Sequence, residues 1–154
     1  MSELTTPDHT NIAQQFQSDE YTLERQIGQG GFGVVYHATH QKTNQSVAIK
    51  FLHLEKHADD KDRQRQIARF ERECDFVCQL SHPNIVRLLD KGSVNNTNVF
   101  SVFEFVDGTS LNEYIKLKGA LDVEETYHIM LQVLDALVHA HKQGIIHRDI
   151  KPSN

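Results

Sequence analysis

From Tyr21 onward apolar and polar side chains alternate through Leu23, Arg25 and Ile27, the period of a half-buried strand. The glycine-rich turn GQGGFG follows, then Val34, Val35, Tyr36 and Ala38. A turn signal at Lys42, Thr43 and Asn44 leads into the short apolar run Val47, Ala48, Ile49, Phe51, Leu52. The pattern predicts three antiparallel strands. Next, Asp59, Asp60 and Asp62 stand where a helix N-terminus favours negative charge, and Ile67, Phe70, Cys74, Val77 and Cys78 recur at helical spacing. That helix is expected to run to about Leu80 and to end at His82-Pro83-Asn84, because proline disfavours the helical conformation of the residue before it. Two more apolar runs, Ile85 to Asp90 and Asn98 to Val106, joined by GSVNNTN, predict a second hairpin.

The texture then becomes helical. Ser110 with Glu113 has the form of a capping box, and Gly119 is placed to close the short helix it opens. Asp122 with Glu125 repeats the start signal, and Val123, Tyr127, Met130, Leu131, Leu134, Leu137, Val138 and His141 follow in steps of three and four until Gly144. Residues 1–20 are polar and aperiodic and are expected to be a mobile tail.

Composition narrows the class. The chain has 154 residues, 38% hydrophobic and 24% charged, with a net charge of −5, which suits a folded domain with a core of its own. No apolar run approaches the ~20 residues of a bilayer helix, so no membrane segment is expected. The opening MSELTTPDHTNIAQQ has no basic stretch followed by an apolar one, so a cytoplasmic location is expected. The acidic balance gives no electrostatic reason to expect nucleic-acid binding. Cys74 and Cys78 read as helix-face residues, and the ten histidines show no metal-ligand spacing: His53 with His57, and His139 with His141, each lack a third ligand.

Gly28, Gly30 and Gly33 form G-x-G-x-x-G, which has two phosphate-binding uses. A dinucleotide-binding turn opens a helix and is followed about 20 residues later by an acidic residue; here a strand pattern follows, and the first acidic residue is Glu55. A Walker loop requires Lys-Ser or Lys-Thr where Val34-Val35 stand. A hairpin that binds nothing is the remaining alternative for the turn alone.

The turn is one of a set: GQGGFGVV, VAIK ending at Lys50, a helix bearing Glu73, and HRDIKPSN occur in the order of the protein-kinase signatures. From Tyr21 to Asn154 the sequence resembles the front part of the eukaryotic-like serine/threonine protein kinases, and GTSLNEYI and ALVHAHKQGIIHRDIKPSN look most like bacterial members. The resemblance implies an α+β fold: a kinase-like small lobe (five-stranded antiparallel sheet plus one helix, 21–106 with the hinge) followed by the first helices of an incomplete large lobe (107–154).

It also implies ATP and a magnesium ion as cofactors and a protein Ser/Thr hydroxyl as acceptor. Backbone N–H groups of Gly28, Gln29, Gly30, Gly31 and Gly33 would close over the triphosphate, with Phe32 at the tip shielding it. Ile27, Val35 and Ala48 would sandwich the adenine, and Glu104 and Val106 would offer backbone groups to its edge beside a gatekeeper, Phe103. Lys50 would grip the α- and β-phosphates with Glu73 as its inward-pointing helix partner. Asp149 would take or orient the substrate proton, Lys151 would neutralise charge on the transferred phosphate, and Asn154 would bind magnesium in an incomplete site.

The family pattern continues with an Asp-Phe-Gly magnesium motif and an activation segment, on the order of a hundred further residues. On that basis the chain is expected to be inactive alone. The alternatives are a nucleotide-binding pseudokinase fragment that acts through a partner, and a remnant that binds nothing. The apolar stripe on helix 122–142 suggests a partner or self-association.

Overall fold

The computed structural model describes residues 14–30, 33–52, 59–94 and 98–153. Five strands, β1 (Tyr21–Gly30), β2 (Gly33–His40), β3 (Gln45–Leu52), β4 (Leu88–Val94) and β5 (Asn98–Glu104), form one antiparallel sheet in the order β1-β2-β3-β5-β4. Three helices complete the described elements: α1 (Asp60–Val77) between β3 and β4, then α2 (Leu111–Lys118) and α3 (Val123–Lys142) after the sheet. The architecture is α+β, as the sequence implied.

The chain divides into two compact units, Met1–Asp75 with Leu88–Phe105, and Phe76–Arg87 with Val106–Asn154. In the first, alternation puts Val34, Tyr36, Ala38, Val47, Ile49, Phe51, Phe100 and Val102 on one face, where they form the core with Tyr21 and Val94. Phe16 also belongs there. The sequence predicts a mobile tail over 1–20, yet the Phe16 ring meets Phe51 and Phe100 edge-on at 5.2 and 5.3 Å. An isolated aromatic carries no periodicity, so only the apolar face awaiting it explains its place.

Helix α1 starts with the Asp59 carboxylate accepting from the Asp62 amide at 2.7 Å. It ends at Val77, short of the expected Leu80. Lys91 on β4 ties it to the sheet, with Nζ 2.5 Å from Asp75 Oδ1 and 3.4 Å from the Glu71 carbonyl. Strand β4 starts at Leu88 instead of Ile85, because the Ile85 amide closes a turn onto the His82 carbonyl. It then runs through Gly92, Ser93 and Val94, which the sequence placed in the connection.

In the second unit the helix ends follow the sequence signals. Ser110 and Glu113 make a reciprocal capping box, Asp122 caps α3, and Gly119 and Gly144 have φ of +92° and +75°, where a side chain would be strained. Glu125 accepts from Tyr114 Oη at 3.0 Å and from Lys118, joining α2 to α3. The turn after α1 is fastened to α3 by His82 Nε2 to Asp135 Oδ2 at 3.1 Å and Asn84 Nδ2 to Gln132 Oε1 at 3.0 Å. Along α3 the packed positions include Ile129, Val133, Ala136 and Ala140, whereas Val123, Tyr127, Leu134 and Val138 are 87%, 60%, 51% and 51% exposed.

Candidate functional site

Register decides which side chains share the sheet's second face. Val35 opposes Lys50 and His37 opposes Ala48 across β2 and β3; Lys50 opposes Ser101 and Ala48 opposes Phe103 across β3 and β5. With a period of two, these residues stand on the face opposite the core. Ala48 and Lys50 are partly buried and Ser101 is buried. Lys50 thus shares a face with a buried hydroxyl and an alanine.

The arms of the glycine turn are paired Gly28 with Val35 and Gly30 with Gly33; Gly31 and Phe32, two of the predicted site residues, lie outside the described residues. Gly33 has φ +136°, a conformation that favours glycine. Gly28 and Gly30 differ: a Cβ at Gly28 would make only an ordinary contact with Val35 at 3.7 Å, and one at Gly30 would meet nothing within 4 Å among the described residues. Packing among the described residues therefore gives no reason for a bare backbone at either position. The open space beside Gly30 fits the close approach of a phosphate group. Ile27, at the β1 bulge beside this turn, is 37% exposed, and Glu104 closes β5 opposite Val47.

Glu73 is not where the sequence placed it. It is exposed, and its carboxylate accepts from Arg69 Nε at 2.8 Å on the same helix. The inner stripe of α1 runs through Arg63, Ile67, Phe70, Cys74 and Val77, and Glu73 sits one step to its side. Sharing a rough face with Phe70 and Val77 was not enough to turn it inward.

In the second unit, the segment after Gly144 carries the other predicted residues. Arg148 has φ +63°, an uncommon conformation for a residue with a side chain and one concentrated at functional sites. It is flanked by a fixed Asp149, whose amide donates to His147 Nδ1 at 3.3 Å and whose Oδ2 accepts from Lys151 Nζ at 2.8 Å. The Pro152 carbonyl accepts from the Asn112 amide at 2.7 Å, anchoring the segment to the start of α2. Both Asp149 and Lys151 are about half exposed and so accessible to a macromolecular substrate. Val106 is 63% exposed. Asn154 lies outside the described residues.

Among the described residues, no three His, Cys, Asp or Glu side chains converge in a way that could hold a metal ion. Those residues do not by themselves fit magnesium. Sequence reasoning missed His37, which shares a face with Val35 and Ala48 and could have been found from the strand period alone.

A family comparison matches residues 21–154 to the protein kinase domain. The chain belongs to the protein kinase family. It is 41% identical over 136 residues to a probable serine/threonine-protein kinase of Clostridium perfringens, and 41% identical over 137 residues to serine/threonine-protein kinase PrkC of Bacillus subtilis. These alignments cover 88% and 89% of this chain but 19% and 20% of the relatives, so the chain spans about a fifth of their length. Among solved structures, the kinase domain of Mycobacterium tuberculosis PknI matches with a TM-score of 0.74 and 30% identity, covering 91% of this chain and 56% of that one. No helix among the described residues is long and apolar enough to cross a membrane.

Proposed function

We propose that this chain carries the ATP-binding sheet and catalytic loop of a cytoplasmic serine/threonine protein kinase, the reaction being transfer of the ATP γ-phosphoryl group to a protein hydroxyl. The observation that carries the reading is the second face of the sheet. There Lys50 stands one residue pair from Ala48, on the sheet whose glycine turn lacks side chains at Gly28 and Gly30 without a packing reason.

Each residue contributes by position. The amides of Gly28, Gln29, Gly30 and Gly33 donate to phosphate oxygens; the roles the resemblance implies for Gly31 and Phe32 fall on residues outside the described ones. Lys50 neutralises the α- and β-phosphates. Ile27, Val35 and Ala48 enclose the adenine, whose edge is met by the backbone of Glu104 and Val106. Asp149 accepts the proton of the substrate hydroxyl, and Lys151, which bonds it in the resting geometry, shifts to the charge developing on the transferred group. Asn154 is the chain's candidate magnesium ligand. ATP supplies the phosphoryl group when bound.

The outward pairing of Glu73 with Arg69 favours a second reading, a nucleotide-binding module that acts through a partner and does not itself transfer phosphate. Radiolabelled ATP with a generic Ser/Thr substrate separates the two. The chain alone is expected to give no incorporation above background. The chain fused after Asn154 to the complementary part of a related kinase should phosphorylate, and Asp149→Asn in that fusion should abolish the signal. A silent but folded fusion would favour the second reading.

A further inference from the structure

On the same face of the sheet as Ala48, a line of side chains runs from β1 to the residue that follows β5. The register shifts between Leu23 and Arg25, so the intervening Glu24 stands outside the regular pairing, and such bulges re-aim side chains. Its carboxylate accepts from Thr39 Oγ1 and lies 2.7 Å, Oε2 to Nδ1, from His37. The Thr39 hydrogen bond, followed by the His37 contact, outweighs desolvation and holds Glu24 below the usual carboxylate range, so it is charged at neutral pH. The His37 side chain is only 14% exposed, and its ring lies 4.4 Å from that of Phe105 at 54°. Both Nδ1 and Nε2 of His37 are buried without a well-aligned hydrogen bond among the described residues, so Glu24 meets the ring as a close charged neighbour on one side and Phe105 packs on the other.

His37 stands on β2 and Phe105 directly after β5, and these two strands are not neighbours. β3 lies between β2 and β5, a separation of about 10 Å at two strand spacings. Besides Lys50, which stands opposite Val35, the β3 residues on this face are Ala48, opposite His37, and Ser46, opposite Thr39; the last two lie beside the rings. Both are small, and they leave the gap through which the rings meet. The side chains thus form a clamp over β3 that ends on Phe105, between Glu104 and Val106.

Resting on the nucleotide reading above, we infer that His37 is a positioning residue, which holds Phe105 and so fixes the backbone of Glu104 and Val106 that meets the adenine edge. Its ligand is the nucleobase end of ATP, reached through the main chain and never touched by His37 itself. Substitution at His37 loosens the hinge segment and weakens nucleotide binding. A replacement that preserves the ring preserves both.

The test uses the full chain and two readouts. In the ligand-free protein, His37→Ala should speed amide exchange at Phe105 and Val106 by about two- to tenfold, the equivalent of one aromatic pair, while His37→Phe restores protection. Glu24→Gln should give a smaller effect of the same sign. In parallel, titration with ATP should show a Kd raised by a similar factor in His37→Ala and recovered in His37→Phe. Unchanged exchange at Phe105 and Val106 in a folded His37→Ala protein overturns the inference, as does exchange that responds while the ATP Kd stays constant. If the unsubstituted chain binds no ATP but exchange responds and His37→Phe rescues it, the clamp stands and the nucleotide reading is what fails.

Discussion

Arg69 and Glu73 face each other across one turn of α1, Nε 2.8 Å from Oε1, with side chains 82% and 62% exposed. One residue on, Cys74 is buried. An exposed pair at this spacing contributes about 0.3–0.5 kcal/mol, too little to hold a carboxylate against a better-placed cation. Arg69→Ala should therefore lower stability in urea by no more than about 0.5 kcal/mol. A loss above about 1.5 kcal/mol would show that the pair has a structural role its exposure does not explain.

Gly92 and Gly30 separate a packing requirement from a binding one. A Cβ at Gly92 would lie 2.5 Å from Cζ and 2.9 Å from Cε1 of Phe100, a core ring held against Phe16 and Phe51. Gly92→Ala should cost about 1–3 kcal/mol, read from the urea midpoint. Gly30→Ala, with open space around the new carbon, should change stability by less than about 1 kcal/mol and yet weaken nucleotide binding. Equal destabilisation by both substitutions would contradict this division.

Tyr21 donates its hydroxyl to Asp90 at 3.0 Å, and burial together with that carboxylate pushes the phenol up to about 12. The folded chain keeps the proton more tightly than the unfolded one. The stability this confers is complete below pH 10 and is lost as the pH rises from about 10 to about 12. Tyr21→Phe should remove this part of the alkaline loss, and phenolate absorbance should show one tyrosine titrating late. A late-titrating tyrosine that persists in Tyr21→Phe would contradict the assignment.

The helix boundaries of the second unit were legible because they are written in local chemistry: Ser110 with Glu113, Asp122, and the glycines at 119 and 144 act within four residues of themselves. The sheet was legible as a set of strands, but the start of β4 was not, because Ile85 is apolar like a strand residue and only its hydrogen bond to His82 removes it from the ladder. Phe16, Glu73 and the ring pair of His37 with Phe105 depend on partners distant in sequence or on small rotations of a helix. The apolar stripe of α3 is legible from steps of three and four, and half of it is exposed. Of the proposed nucleotide face, the shared side of Val35, Ala48 and Lys50 is legible from a four-residue motif and the strand period.

That exposed half of α3 presents Tyr127, Met130, Leu131, Leu134 and Val138 as a contiguous apolar surface, of the kind that marks an interaction site. The chain should self-associate with rising concentration in sedimentation velocity, and Leu134→Lys with Val138→Lys should reverse this without loss of helix content. A concentration-independent monomer that binds no hydrophobic dye would contradict the expectation.

The most direct test of the nucleotide site is titration calorimetry of the folded chain with ATP in the presence of magnesium. Binding heat is expected, weakened by at least about tenfold in Lys50→Met, since a charge-assisted contact to phosphate is worth about 1.5–3 kcal/mol. No heat from a chain shown to be folded, or binding that Lys50→Met leaves unchanged, would contradict the assignment of this face as the ATP site.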